Sequence, residues 1–84
     1  MGAATRIGRL EGNDIVLDDA KVSRHHAVII DTGTSFVITD LRSANGVQVQ
    51  HNRIRGSVHL ADGDRIGIGH HEFTFEIRAD EPPQ

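Results

Sequence analysis

Four consecutive residues, Ser23-Arg24-His25-His26, set a hydroxyl, a guanidinium and two imidazoles side by side in a chain of 84 residues. Arginine offers a planar fork of N–H groups and serine a rotatable O–H, a combination suited to a doubly charged oxyanion. The stretch lies between loop-like text, Asp18 to Lys21, and the apolar run Val28-Ile29-Ile30. It reads as one wall of a phosphate pocket, and other parts of the chain must supply the rest. Two candidates stand in similar text: Gly8-Arg9, and the polar loop from Asp40 to Gly46. Taken singly, each residue has a plainer reading. Arg9 is then a solvated arginine, Ser23 a turn residue bonding its own backbone, and Asn45 a turn former. Their joint placement in loops favours a ligand, because loops at one end of a rigid β scaffold converge on a common target.

Other chemistries fit less well. The pairs His25-His26 and His70-His71 invite a metal reading, but neighbours on a strand point to opposite faces, and no cysteine or acid completes a site. No metal or other cofactor is expected. Ser23 near a histidine suggests a hydrolase, yet there is no nucleophile elbow and no third member, so no enzymatic activity is expected. Gly67-x-Gly69 lacks the third glycine and the strand–helix setting of a nucleotide site. Asp62-Gly63-Asp64 is too short for a calcium loop and reads as a hairpin turn.

The totals narrow the classes further. The chain is 37% apolar and 25% charged, the balance of a single soluble domain. No apolar run approaches the ~18 residues of a membrane helix and no signal-peptide pattern opens the chain, so no membrane insertion is expected. The absence of cysteine fits a reducing cytoplasm. A net charge of −3 and the lack of Trp and Tyr argue against nucleic-acid binding, which needs a basic face and stacking platforms. Eight of the nine basic residues are arginine, a bias toward geometric recognition of oxyanions.

These residues must be positioned by strands. No segment shows apolar spacing of 3.6 over two turns, whereas eight or nine short runs show period two or β-rich composition. The pattern predicts an all-β fold, a two-sheet sandwich of short, mostly antiparallel strands with ligand loops at one end. Ala27–Asp31 and Ser35–Thr39 flank the tight turn Thr32-Gly33-Thr34 and should pair as a hairpin. Arg65–Gly69 and Glu72–Ile77 should form the last hairpin, around His70-His71. Thr5–Leu10, Ile15–Leu17, Val47–Gln50 and Val58–Leu60 are the remaining strands, with His51 to Gly56 a connection that carries Ile54 inward. Asn45-Gly46 is a strong turn signal because both residues tolerate positive φ. Alternation nominates Ile7, Ile15, Leu17, Val28, Ile30, Phe36, Ile38, Val47, Val49, Leu60, Ile66, Ile68, Phe73 and Phe75 for the core. The domain is expected over residues 5–78, with 1–4 and 79–84 as flexible ends.

The order Gly8-Arg9, Ser23-x-x-His26, Asn45-Gly46 resembles the forkhead-associated (FHA) domain, a phosphothreonine-binding β-sandwich. Asn13-Asp14-Ile15-Val16-Leu17, Asp40-Leu41, Leu60-Ala61-Asp62-Gly63-Asp64 and Ile66-x-Ile68-Gly69 extend the likeness from about Thr5 to Ile77. The resemblance implies that Arg9, Ser23 and Arg24 bind phosphate, and that Asn45 bonds the ligand's main chain. It implies that His26 buttresses a loop, that Gly8 and Gly46 serve backbone geometry, and that flanking specificity comes from Lys21, Arg42, Ser43 and the stretch His51 to Arg55. Phosphothreonine carries about −1.5 to −2 charges and three acceptor oxygens. Two or three charged hydrogen bonds, less the cost of ordering a peptide, imply an affinity of about 1 μM.

Three departures from the family pattern stand out. Val47 replaces the frequent Thr after Asn-Gly, which is mainly a structural matter. Ala44 replaces a hydroxyl residue before the Asn, removing one phosphate contact. Only seven residues precede Gly8 where the family carries another strand or two, so either those strands lie outside this chain or a sheet edge is open. The stretches Ala4–Leu10, Ser23–Ile29 and His71–Phe75 further resemble the C-terminal FHA domain of one type of bacterial transcriptional regulator. Such regulators join it to a DNA-binding winged-helix region and are targets of a membrane Ser/Thr kinase. The expected partner is then a phosphothreonine in an autophosphorylated Ser/Thr kinase or its substrate, in the cytoplasm. The competing expectation is a structural β-domain that associates through sheet edges without phosphate.

Overall fold

The computed structural model describes residues 3–77. Nine strands run in order: β1 (Ala4–Gly8), β2 (Ile15–Val16), β3 (Ala27–Asp31), β4 (Phe36–Asp40), β5 (Val47–Val49), β6 (Asn52–Arg53), β7 (Ser57–Leu60), β8 (Arg65–Ile68) and β9 (His71–Thr74). They form a five-stranded sheet, β2-β1-β3-β4-β7, and a four-stranded sheet, β6-β5-β8-β9. Among the described residues only β1 and β2 pair in parallel, Ile7 opposite Ile15; the other pairs are antiparallel. The expected all-β sandwich and both expected hairpins are present. Ala27–Asp31 is a strand as read, pairing with β4 from Ala27↔Asp40 to Asp31↔Phe36.

The chain start differs from expectation. Ala4 already pairs with Ile30 in β1, and the Ala3 carbonyl accepts the Asp31 N–H at 2.9 Å, so these two residues belong to the sheet and not to a flexible end. Met1, Gly2 and the expected flexible end at 79–84 lie outside the described residues, as does Arg78, the expected domain end. The last strand stops at Thr74, before the expected Ile77.

The core lies between the sheets: Ile7, Leu17, Val22, Ala27, Ile38, Val47, Ile54, Leu60, Ile66 and Ile68 are buried. Phe36 and Phe75 meet edge to face, ring centroids 5.2 Å apart, a favoured aromatic geometry. In β3 the expected phase is wrong. Ala27 is fully buried and Ile29 packs on the core, whereas Ile30, nominated for the core, is 37% exposed and Val28 pairs with Arg6 on the outer face. Four apolar residues in succession carry no alternation, so their phase is set by register with β1 and β4, and a one-residue shift reverses every side chain.

β6 is a strand where a connection was expected. Gln50 and His51 both take positive φ, 53° and 66°, the two-residue turn that suits the twist of a hairpin. The Arg65 N–H donates to Gln50 Oε1 at 2.7 Å and the Gln50 N–H to the Arg65 carbonyl at 2.8 Å, which holds the turn in this uncommon conformation.

Strand directions bring the loops 9–14, 17–26, 41–46, 54–56 and 69–70 to one end of the sandwich. The turn at Thr32–Ser35 closes the other end.

Candidate functional site

The residues nominated for a ligand role lie at that loop-rich end, except His51, which sits in the turn between β5 and β6 at the other end. The loops are tied to one another largely by side chains bonding main-chain atoms. Leaving β1, the chain passes Gly8, where a Cβ would collide with the Arg24 carbonyl oxygen and come within 2.7 Å of Asn13 Nδ2. Only glycine lets the two loops approach this closely. Directly after it, the Arg9 N–H donates to the Ser23 carbonyl at 3.0 Å, and Arg9 Nε donates to the Val22 carbonyl at 3.1 Å. With Nε engaged inside the protein, the two terminal amino groups of the Arg9 fork remain for a ligand.

Ser23 is half-buried. Its Oγ accepts the Ala44 N–H at 3.0 Å, which leaves the hydroxyl proton to be donated elsewhere. That bond joins the loop carrying Ser23 to the loop carrying Asn45. Arg24 is exposed, and its side chain has no hydrogen-bond or ion-pair partner among the described residues. Its carbonyl accepts from Asn13 Nδ2 at 2.9 Å, and the same Nδ2 donates to Leu10 O at 2.9 Å. Asn13 is thus a positioning residue missed as such in the sequence, where Gly12-Asn13-Asp14 signalled a turn and nothing about its far partner. His25 is exposed.

His26 is fully buried. Its Nδ1 accepts the Ser23 N–H at 3.0 Å and its Nε2 lies 2.7 Å from the Gly46 carbonyl oxygen. The ring therefore spans two loops from beneath. Gly46 has φ 81°, while Asn45 beside it does not, so of the Asn45-Gly46 pair only the glycine uses the left-handed region. A Cβ on Gly46 would also meet the Arg53 guanidinium. Asn45 is exposed, and its Nδ2 donates to the Lys21 carbonyl at 2.8 Å, leaving Oδ1 facing solvent to accept.

Among the specificity candidates, Lys21 and Arg42 are exposed, while Ser43 is buried with its hydroxyl donating to Asp40 Oδ1 at 2.7 Å. Ser43 thus shapes the loop from below. Of the family departures, Val47 is fully buried in the core, and Ala44 contributes its N–H to Ser23.

Asp19 was not singled out in the sequence, yet it anchors the loop ahead of Ser23. Its Oδ1 accepts the Lys21 N–H at 2.9 Å, and Oδ2 accepts the His70 N–H at 3.0 Å. His70 Nδ1 lies 3.1 Å and His71 Nε2 3.6 Å from the same Oδ2. The Lys21 and His70 N–H groups, with the His70 ring, hold the carboxyl down to about 2 against a smaller opposing effect of burial. The expectation that His70 and His71 diverge and lack an acid is corrected here: His70 sits in the turn, not on the strand, and both rings turn to Asp19. Among the described residues no group of three or more His, Cys, Asp or Glu could hold a metal ion.

A β-sandwich whose end loops gather an arginine, a serine and an asparagine over a buried histidine is the architecture of the FHA class. The FHA domain family model matches residues 5–69, and the chain belongs to that family. The narrower likeness is to EmbR-type regulators. The chain is 73% identical over 77 residues to the transcriptional regulatory protein EmbR of Mycobacterium tuberculosis (strain ATCC 25618 / H37Rv), covering 92% of this chain and 20% of that protein. A solved structure of Mycobacterium tuberculosis EmbR in complex with a low-affinity phosphopeptide superposes with TM-score 0.90 at 69% identity, over 96% of this chain and 21% of that one. A third match, an FHA domain solved for structural and functional analysis of phosphothreonine-dependent interactions, has TM-score 0.85 at 34% identity, over 92% of this chain and 79% of that one. The chain thus spans about a fifth of the length of the EmbR relatives it matches.

Proposed function

We propose that this chain is a phosphothreonine-peptide reader that brings proteins together when one is phosphorylated. The observation that carries the reading is the division of labour within Arg9 and Ser23. Each uses one polar group to bind its own protein, Arg9 Nε on Val22 and Ser23 Oγ on the Ala44 N–H, and each keeps its remaining donors for a ligand. In this reading Arg9, Ser23 and Arg24 hold the phosphate, and Asn45 Oδ1 accepts a main-chain N–H of the peptide. Gly8, His26 and Gly46 set the loop geometry, and Lys21 and Arg42 contact flanking residues. No step of bond making or breaking is assigned; the domain is an interaction module. The partner class is a phosphothreonine in a Ser/Thr kinase or its substrate, and the parent role is regulation of transcription in the cytoplasm. Among the described residues no helix is long and apolar enough to cross a membrane.

Calorimetric titration with one peptide in its Thr and phospho-Thr forms tests the proposal. Binding near 1 μM is expected for the phosphorylated form only; equal weak binding of both would refute it. The second reading, association through sheet edges, draws on β9. Among the described residues this four-residue strand has β8 as its one partner, beside an apolar cleft lined by Ile7, Ile15, Ile29, Ile66, Phe73 and Phe75. Sedimentation across a concentration series separates the two readings: a monomer at every concentration removes the second.

A further inference from the structure

Among the described residues a broad cleft stands apart from Ser23. It lies on the far side of the loop 41–46, has a volume of about 610 Å³, and is lined by Arg42, Arg53 and Arg55 together with Asp40 and Ser43. Three guanidinium groups around one opening are unusual in a chain whose net charge is −3. Among the described residues none of the three has a hydrogen-bond or ion-pair partner. The one carboxylate at the cleft, Asp40, already accepts the Ser43 N–H and hydroxyl through Oδ1, at 2.9 Å and 2.7 Å. Arg42 holds φ 59°, the left-handed region that costs a side-chain-bearing residue energy. Arg53 lies against Gly46, as the collision of a Cβ there shows.

The cleft shares its wall with the phosphate loops. Ala44, next to Ser43, gives its N–H to Ser23 Oγ, and Gly46, under Arg53, gives its carbonyl to His26. A ligand held by Arg9 and Ser23 therefore has this basic opening one loop away. Planar arginine forks pair with phosphate or carboxylate oxygens through two N–H groups at once.

We infer that Arg42, Arg53 and Arg55 form a second anion subsite, which takes a second negatively charged side chain of the same phosphopeptide. The subsite rests on the phosphopeptide reading, and it makes the preferred ligand a doubly charged segment: a phosphothreonine with a second phosphate or a carboxylate nearby. An extended peptide rises about 3.3 Å per residue, so a group across one loop stands roughly two to five residues from the phosphothreonine.

The test is calorimetry on the full chain with phosphothreonine peptides carrying phosphoserine two to five residues away on either side. A matched series carries Glu in place of phosphoserine. At one spacing the doubly phosphorylated peptide should bind at least tenfold more tightly than the singly phosphorylated one. Arg55→Gln, and the pair Arg42→Gln with Arg55→Gln, should erase that gain, and Arg55→Gln alone should leave the singly phosphorylated peptide within twofold. A gain with phosphoserine alone assigns the subsite to phosphate; a similar gain with Glu assigns it to either anion. No gain at any spacing, or a gain that survives in the double variant, overturns the inference. Should the singly phosphorylated peptide fail to bind, the phosphopeptide reading falls, and a second measurement still decides the subsite. Inorganic phosphate is titrated into the Arg9→Ala variant while the arginine Nε–Hε resonances are followed by NMR. Saturable shifts at Arg42, Arg53 and Arg55 support the subsite, and unmoved resonances refute it.

Discussion

The Nε2 of His26 lies 2.7 Å from the carbonyl oxygen of Gly46, and this contact assigns the ring its tautomer. Nδ1 faces the Ser23 N–H and has to be the bare nitrogen, so Nε2 carries the proton and donates. The ring is fully buried, so deleting it strands a donor on Ser23 and an acceptor on Gly46. Each stranded group costs about 1–3 kcal/mol. His26→Ala should lose about 3 kcal/mol or more in denaturant unfolding and should loosen the Asn45 loop. Nitrogen-15 spectra of the wild type should report the Nε2–H tautomer.

Arg9 answers two demands at once, which sets it apart from lysine. Its Nε binds Val22 while its outer amino groups stay free. The single ammonium of Arg9→Lys can meet only one of these demands. Arg9→Ala should weaken phosphopeptide binding about 100-fold or more, as expected for losing two charged hydrogen bonds. Arg9→Lys should fall between it and the wild type. Ser23→Ala should cost about 10- to 100-fold, because it removes a ligand donor and the tether to Ala44. Proton–nitrogen spectra of all three should keep the wild-type dispersion.

Acid sensitivity has a specific source at Asp19. Its carboxyl is held at about 2, below the ordinary 3.8, so the ionised form is favoured by the fold. That contribution is complete above pH 3.8 and is lost as pH falls through about 2. Asp19→Asn should lower the melting temperature at pH 7. The gap to the wild type should close as melts are repeated from about pH 4 down to pH 2. A gap that persists at pH 2 would place the effect in packing instead.

The phase of β3 can be tested by two substitutions at neighbouring positions. Ile30 is on the outer face and Ile29 on the inner. Ile30→Thr should change stability by less than about 0.5 kcal/mol, whereas Ile29→Ala should cost about 2 kcal/mol or more. Thermal or denaturant melts of the two variants decide between the phases.

What was legible in the sequence follows from how local each signal is. The hairpin around Gly33 and the core positions Ile38, Ile66 and Ile68 show in turn chemistry and in clean alternation. The three ligand loops show because arginine, serine and asparagine fall in polar breaks between β-rich runs. β6 was hidden, since its hairpin turn is Gln50-His51 and not the glycine-containing pair that normally marks positive φ. The inward face of β3 was hidden because Ala27-Val28-Ile29-Ile30 has no polar residue to mark an outside. Asn13 and Asp19 were hidden for another reason. Their partners are 11 and 51 residues away, and no short stretch of text records a contact that only folding creates.

The loops at the binding end are joined by a small set of named side chains and by main-chain atoms. The Arg9 N–H meets the Ser23 carbonyl, the Leu41 N–H meets the His26 carbonyl, and Asn13 and His26 reach the carbonyls of Arg24 and Gly46. The side chains of Arg24, His25, Arg42 and Ala44 take no part in these ties and are exposed. Construction and taste are therefore separable in this domain. A lineage descending from it, or a library randomised at His25, Arg42 and Ala44, can change which phosphorylated neighbour is read without rebuilding the frame that does the reading.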